Sequence, residues 1–168
     1  MVKQNASLDA SFWINACAGN IVEFTLHYFY LFAPPIVAEE IRYPLHVLGM
    51  QATSSLLFNQ WVGSGKIMLQ KPNAPVDWFQ QGENEVIALA VEQNYFLLMD
   101  DANPYHRAKF RGLNVVGTAE FTILLFDQGH LTYAAAVDAI KQARASKPQK
   151  RNGLTILESL ARRKGNLK

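Results

Sequence analysis

The sequence predicts an α/β fold: three layers, α/β/α, around a central parallel sheet of about five short strands. Three observations carry that prediction. Short apolar runs alternate with longer stretches of helical periodicity, the signature of repeated βαβ units. The runs themselves, such as Phe96–Met99, are continuously apolar, as strands buried on both faces are. Finally, 168 residues of which 49% are apolar are enough for one sizeable core.

The elements follow in chain order. Ala6–Asp9 reads as a strand ending on an acid. A helix starts at Ser11, with Ser11 or a neighbour as its cap, and stops near Gly19. Ile21–His27 is a second helical stretch, and Tyr30–Ala33 a second strand stopped by Pro34-Pro35. Proline suits a first helical turn, so Pro35–Arg42 is a short helix carrying Glu39 and Glu40. His46–Trp61 is helical up to the Gly63-Ser64-Gly65 breaker, and Ile67–Gln70 is a third strand. Gly82–Gln93 places Val86, Ile87, Ala90 and Val91 on one helical face. Tyr95–Met99 is a fourth strand that runs into Asp100-Asp101. A helix over Tyr105–Arg111, a short strand over Asn114–Val116, and helices over Thr118–Gln128 and Tyr133–Ala145 follow. Lys147–Gly153 reads as a polar linker and Leu154–Arg163 as a last helix, so the chain divides into a domain over 1–146 and a basic linker and helix over 147–168.

Charge is distributed unevenly. The formal net charge is +2, but residues 147–168 carry seven basic residues and one acid, for +6, while residues 1–146 net −4. A mildly acidic body thus carries a basic tail, which either neutralises phosphates or is simply solvated. Cys17 is the single cysteine, which excludes an intrachain disulfide, a CxxC pair and a zinc–cysteine cluster. The N-terminus is polar and unlike a secretory signal. The most apolar stretch, Phe24–Ala38, is fifteen residues long and contains two prolines, too short and broken to span a bilayer. The expectation is a cytoplasmic protein without membrane contact.

In parallel α/β folds, ligands bind at the carboxyl ends of the strands. Two predicted strands end there in acids, Asp9 and the pair Asp100-Asp101. Glu39 and Glu40 follow the second strand, and Glu83 and Glu85 open the Gly82 helix. Carboxylates brought to one sheet edge repel one another, and a hard cation such as Mg²⁺ or Mn²⁺ relieves that repulsion. Taken singly, Glu39, Glu83 and Glu85 are also what a helix dipole favours in a first turn, and Asp101 is a natural cap. Asp9 and Asp100 are harder to explain that way, because a carboxylate at a buried strand end needs a partner.

The segments carrying these acids resemble PIN-domain ribonucleases of the VapC-like type, in particular the subgroup labelled domain of unknown function 3368. Asp9-Ala10-Ser11 resembles the family's opening strand-end motif. Ala33-Pro34-Pro35-Ile36-Val37-Ala38-Glu39-Glu40-Ile41 resembles its "vPpaVyeEl" segment and Gly82–Ala90 its "GEaEAIaLA". Leu97–Asp101 with Gly112–Thr118 resembles its "llDD…GLkvxGT" stretch. The likeness covers roughly residues 5–130, with no counterpart for about residues 43–75. Where the family has an Arg five residues after the first Asp of its pair, this chain has Tyr105, with Arg107 two positions on.

The resemblance implies a PIN-like fold and a metal-dependent prokaryotic endoribonuclease, often a homodimeric toxin with an antitoxin partner, acting on RNA with Mg²⁺ or Mn²⁺. Carried over by residue, Asp9, Glu40, Glu83 and Asp100 would hold the metal, with Asp101 and Glu85 assisting or substituting. The acid directly after the family's glycine favours Glu83 over Glu85. Ser11, Thr118 and Arg107 would support the metal or touch RNA, though Ser11 and Thr118 also suit helix caps. The rival reading is a PIN-like module that binds RNA or a partner with little or no catalysis. A phosphatase of the haloacid-dehalogenase type is disfavoured, since Ser11 stands where its second Asp belongs.

Overall fold

A computed structural model describes residues 2–46, 52–74, 76 and 81–165. Residues 47–51 of the helix expected over 46–61, as well as Trp78, lie outside the described residues.

Strands β1 (Gln4–Leu8), β2 (Phe29–Ala33), β3 (Ile67–Leu69), β4 (Phe96–Leu98) and β5 (Val115–Val116) form one sheet of order β3-β2-β1-β4-β5. Every pairing is parallel. The expected α/β architecture is therefore present, with the sheet flanked by α1 (Ala10–Ala18), α2 (Thr25–Tyr28), α3 (Pro35–His46), α4 (Thr53–Gly63), α5 (Gln81–Gln93), α6 (Ala102–Phe110), α7 (Thr118–Asp127), α8 (Tyr133–Gln142) and α9 (Lys147–Arg163).

The core follows from the apolar runs. Ala6 and Leu8 of β1, Leu31 and Ala33 of β2, and Leu97 and Leu98 of β4 are at most 1% exposed. Phe12 and Trp13 of α1 and Val86, Ile87 and Ala90 of α5 close over them. Trp13 packs edge-on against both Phe58 and Trp61 of α4 at 5.3 and 5.2 Å, an arrangement aromatic rings favour.

Several boundaries differ from the sequence expectation for identifiable reasons. α1 is capped by Asp9, whose carboxylate accepts from the Ser11 N–H at 2.9 Å. The Ile21–His27 stretch is a 3-10 turn over Val22–Phe24 followed by α2. α3 continues beyond Arg42 to His46, with Pro44 inside it. α6 begins at Ala102 rather than Tyr105, since Asp101 is its N-cap residue. The largest change is at the C-terminus. Lys147–Gly153, read as a linker, is the opening of α9, which Ser146 caps by accepting from the Gln149 N–H at 3.4 Å. Pro148 is tolerated there because a first-turn N–H has no helical partner anyway. α9 buries Gly153, Leu157 and Ala161, and the latter two join Phe126, Ala136 and Ile140 in a second small core with α7 and α8. A Cβ on Gly153 would lie 2.9 Å from the Ala119 Cβ, so glycine is what lets α9 approach α7 this closely.

The sheet order reverses beside β1: the chain goes from β1 to β2 and β3 on one side, then crosses to β4 and β5 on the other. A crevice opens at such a switch point, outside the carboxyl ends of the strands. The register pairs Leu8 with Leu98, and the Asp9 N–H donates to the Leu98 carbonyl at 3.0 Å. Asp9 and the Asp100-Asp101 pair therefore leave the sheet side by side.

Candidate metal centre

Asp9 is 2% exposed at the end of β1. Its Oδ2 accepts from the Ser11 N–H at 2.9 Å and also from the Ser11 hydroxyl. That hydroxyl in turn accepts from the Asp100 N–H at 3.0 Å. Burial pushes the Asp9 carboxyl up to about 7; the Ser11 bonds oppose the shift, and the charges of Asp101 and Glu40 add to it.

The two members of the aspartate pair have different surroundings, because consecutive residues leaving a strand point in different directions. Asp100 is 6% exposed and turns inward. Its Oδ1 accepts from the Thr118 N–H at 2.7 Å, and its Oδ2 accepts from Asn15 Nδ2 at 2.7 Å and from the Thr118 hydroxyl. Burial raises its pKa against these bonds, and the charge of Asp101 adds to the rise. Asp100 thereby ties the start of α7 to the middle of α1. A Cβ on Gly117 would lie 3.0 Å from Asp100 Oδ1, so a glycine before Thr118 keeps this approach open.

Asp101 faces outward at the head of α6 and is exposed as a residue. Its carboxyl is nonetheless raised, first by partial burial, with the Ser11 hydroxyl acting in the opposite sense. Glu40, on the second turn of α3, is raised by burial and by the charges of Glu83 and Asp101. Asp9, Glu40, Glu83 and Asp101, delivered by β1, α3, α5 and α6, thus sense one another, and the charge of Asp101 also acts on Asp100. Glu83 lies in the first turn of α5 and is half-buried; Glu85, also half-buried, sits two residues on. Arg107 is exposed on α6 and Thr118 is fully buried against Asp100.

Among the described residues, no group of three His, Cys, Asp or Glu side chains stands close enough to hold a metal ion. The chemistry of the donor set still suits a hard cation. All four groups are carboxylates, and Mg²⁺ is commonly held by one or two of them plus waters and phosphate oxygens. A carboxyl driven to about 7 by burial and like charge is the kind of group a bound cation returns to its ionised form.

Other supporting residues were not legible from the motifs. Asn15 is 4% exposed and links Asp100 to the Arg144 N–H, which donates to Asn15 Oδ1 at 2.7 Å. Its signal was positional: a polar residue one turn after Ser11 on an otherwise apolar helix. Gln149, from α9, donates to the Asp100 carbonyl at 3.0 Å. Tyr105, standing where the family's Arg is expected, donates to Glu120 Oε1 at 2.5 Å. Lys109 sits one turn on and donates to both, at 2.6 Å each, so it supplies a cation near the place where the Arg is missing. Burial pushes the Tyr105 hydroxyl up to about 12, reinforced by Glu120. Burial alone would raise Glu120 as well, but the bonds from the Gly117 N–H, Lys109 and Tyr105 outweigh it and hold the carboxyl low. Among the described residues, no helix is long and apolar enough to cross a membrane.

Comparison with known proteins places the chain. The profile of the DUF3368 family, described as a PIN domain, matches residues 9–151. No curated protein matches the sequence significantly. Among solved structures, a PilT N-terminus domain protein from the hyperthermophilic archaeon Sulfolobus solfataricus P2 is similar at 19% identity. That match covers 67% of this chain and 86% of the other, with a TM-score of 0.43. A domain of a functionally unknown protein from Methanocaldococcus jannaschii DSM 2661 is similar at 16% identity, over 68% and 90% of the two chains, with a TM-score of 0.49.

Proposed function

The chain belongs to the DUF3368 family of PIN domains, and on that premise we propose that it is a divalent-metal-dependent endoribonuclease. In this reading it works in the cytoplasm as the toxin of a toxin–antitoxin pair, with RNA as substrate, an antitoxin protein as partner and a homodimer as the working form. One observation carries the nuclease reading: Asp9, Glu40, Glu83 and Asp101 act on one another electrostatically at the switch point of a parallel sheet, where such folds bind ligands.

Asp9, Glu40, Glu83 and Asp101 would hold Mg²⁺ or Mn²⁺, with Glu85 beside them. When bound, such a cation polarises a phosphoryl oxygen and makes water acidic enough to yield hydroxide at neutral pH. The protein contributes placement and charge. Ser11 fixes the Asp9 carboxylate through its N–H and hydroxyl. Asp100 holds α1 and α7 in register through Asn15 and Thr118, and so acts as a positioning residue. Without a cation, Asp9 keeps a proton to near pH 7 and the cluster repels an RNA phosphate. No covalent nucleophile from the chain is needed.

A second reading, a module that binds RNA or a partner without cutting it, draws on the spacing of the acids, no three of which stand at joint ligation distance among the described residues. One experiment separates the two. The metal-stripped protein is incubated with labelled single-stranded RNAs and Mn²⁺, and its melting temperature is followed in parallel. The nuclease reading expects Mn²⁺-dependent cleavage, blocked by EDTA and reduced at least 100-fold in Asp101→Asn, together with stabilisation by Mn²⁺. No cleavage and no stabilisation would overturn it.

A further inference from the structure

α6 and α9 form two walls of a cleft that reaches Asp100, the neighbour of Asp101. The Gln149 bond to the Asp100 carbonyl pins the first turns of α9 there. Between the walls lies a cavity of about 240 Å³, lined among others by Asp100, His106, Ile123, Asn152 and Ile156. At about 30 Å³ per water, that is the space of roughly eight waters, which suits a single nucleobase. Ile123 and Ile156 offer apolar surface to the faces of a ring, and His106 and Asn152 offer polar atoms to its edge. Gln149 is less available, because its Oε1 accepts from Ser146 while its Nε2 donates to Asp100.

The outer face of α9 adds charge. Lys147 and Arg151 are one turn apart, exposed, and share a surface hollow with Asn152, which also lines the cavity. No acid occurs on α9 before Glu158, nor anywhere in α6. Lys109 does not count toward this charge, since Glu120 already pairs with it at 2.6 Å. A base pocket continuous with a cationic helix face fits single-stranded nucleic acid, whose recognition combines unstacked bases with phosphate neutralisation.

We propose that the α6–α9 cleft is the strand-binding subsite of this protein. The cavity takes the base of a nucleotide flanking the one at the carboxylates, and Lys147 and Arg151 neutralise the adjoining phosphates. The proposal rests on the nuclease reading for its substrate, but its test does not depend on cleavage. Binding of a fluorescent ten-nucleotide single-stranded RNA is measured by anisotropy in EDTA over a range of salt.

The double variant Lys147→Ala, Arg151→Ala is expected to weaken binding about 5- to 10-fold at low salt. It should also lower the slope of log affinity against log salt by about 1.4, at roughly 0.7 per phosphate contact. Ile156→Trp, which fills the mouth of the cavity, should weaken binding at least 5-fold with the slope unchanged. Asn152→Leu serves as the second cavity variant should Ile156→Trp fail to melt like the parent. The control Arg162→Ala, Arg163→Ala, at the far end of the same helix, should stay within 2-fold. Wild-type affinity in both the charge and cavity variants, or equal loss in the control, overturns the cleft. RNA bound through the cleft but never cut with Mn²⁺ overturns the nuclease reading alone. RNA cut normally by variants that bind like the parent overturns the cleft alone.

Discussion

Replacing Asp9 with Asn should make the metal-free protein more stable above neutral pH while removing its activity. The carboxyl is buried at the end of β1 and its pKa stands at about 7, against 3.8 for an exposed aspartate. Between those values the native state holds a proton that the unfolded chain has released. Stability therefore falls as pH rises from about 4 to 7 and then levels off. A displacement of that size corresponds to roughly 4 kcal/mol at 1.36 kcal/mol per pH unit. Asn carries no charge to desolvate, and its side-chain oxygen can still cap α1. The variant and the parent should then melt together near pH 4. At pH 8 in EDTA the variant should melt on the order of 10 °C higher, at about 2–4 °C per kcal/mol for a chain of this length. Thermal unfolding followed by circular dichroism at both pH values is sufficient. Added Mn²⁺ at pH 8 should raise the parent and leave the variant nearly unmoved, because cation binding needs the ionised carboxylate. Parallel melting of the two proteins at pH 4 and pH 8 would refute the burial argument.

Two further predictions concern neighbouring features. Asp100→Ala strips the Thr118 N–H and the Asn15 amide of their acceptor and should cost about 3 kcal/mol of stability, whereas Asp101→Asn should change stability by less than about 1 kcal/mol while abolishing cleavage; denaturant titration and the cleavage assay together check the division of labour. Removing residues 147–168 should do more than take away charge, since it exposes the small core that Leu157 and Ala161 complete against α7 and α8; a truncated chain that melts like the full one would show that α9 is only appended.

The amino-acid pattern determined the architecture by itself. A short apolar run such as Phe96–Met99, followed by acids and too short for a helix, reads as a strand covered on both faces, and its alternation with helices leaves a parallel sheet as the economical solution. Two such runs end in acids, Asp9 and Asp100-Asp101, at the carboxyl edge of the sheet. The sequence also carried the family motifs, whose glycine before Thr118 has a physical basis in the 3.0 Å approach to Asp100. What it could not determine was which member of the Asp100-Asp101 pair is buried and which is exposed. Asp100 and Asp101 are chemically identical neighbours, and only the packing of Asn15 and Thr118 around the first sends the second outward. The same holds for Lys147–Gly153. Its composition is that of a linker, but a cap at Ser146 and a close approach at Gly153 turn it into helix. Tertiary packing overrides local composition there: Gln149 bonds to the Asp100 carbonyl and Gly153 packs on Ala119 of α7, while Leu157 and Ala161 complete the small core with α7 and α8. It is also that packing which brings the start of the basic segment, remote along the chain, against the backbone of Asp100.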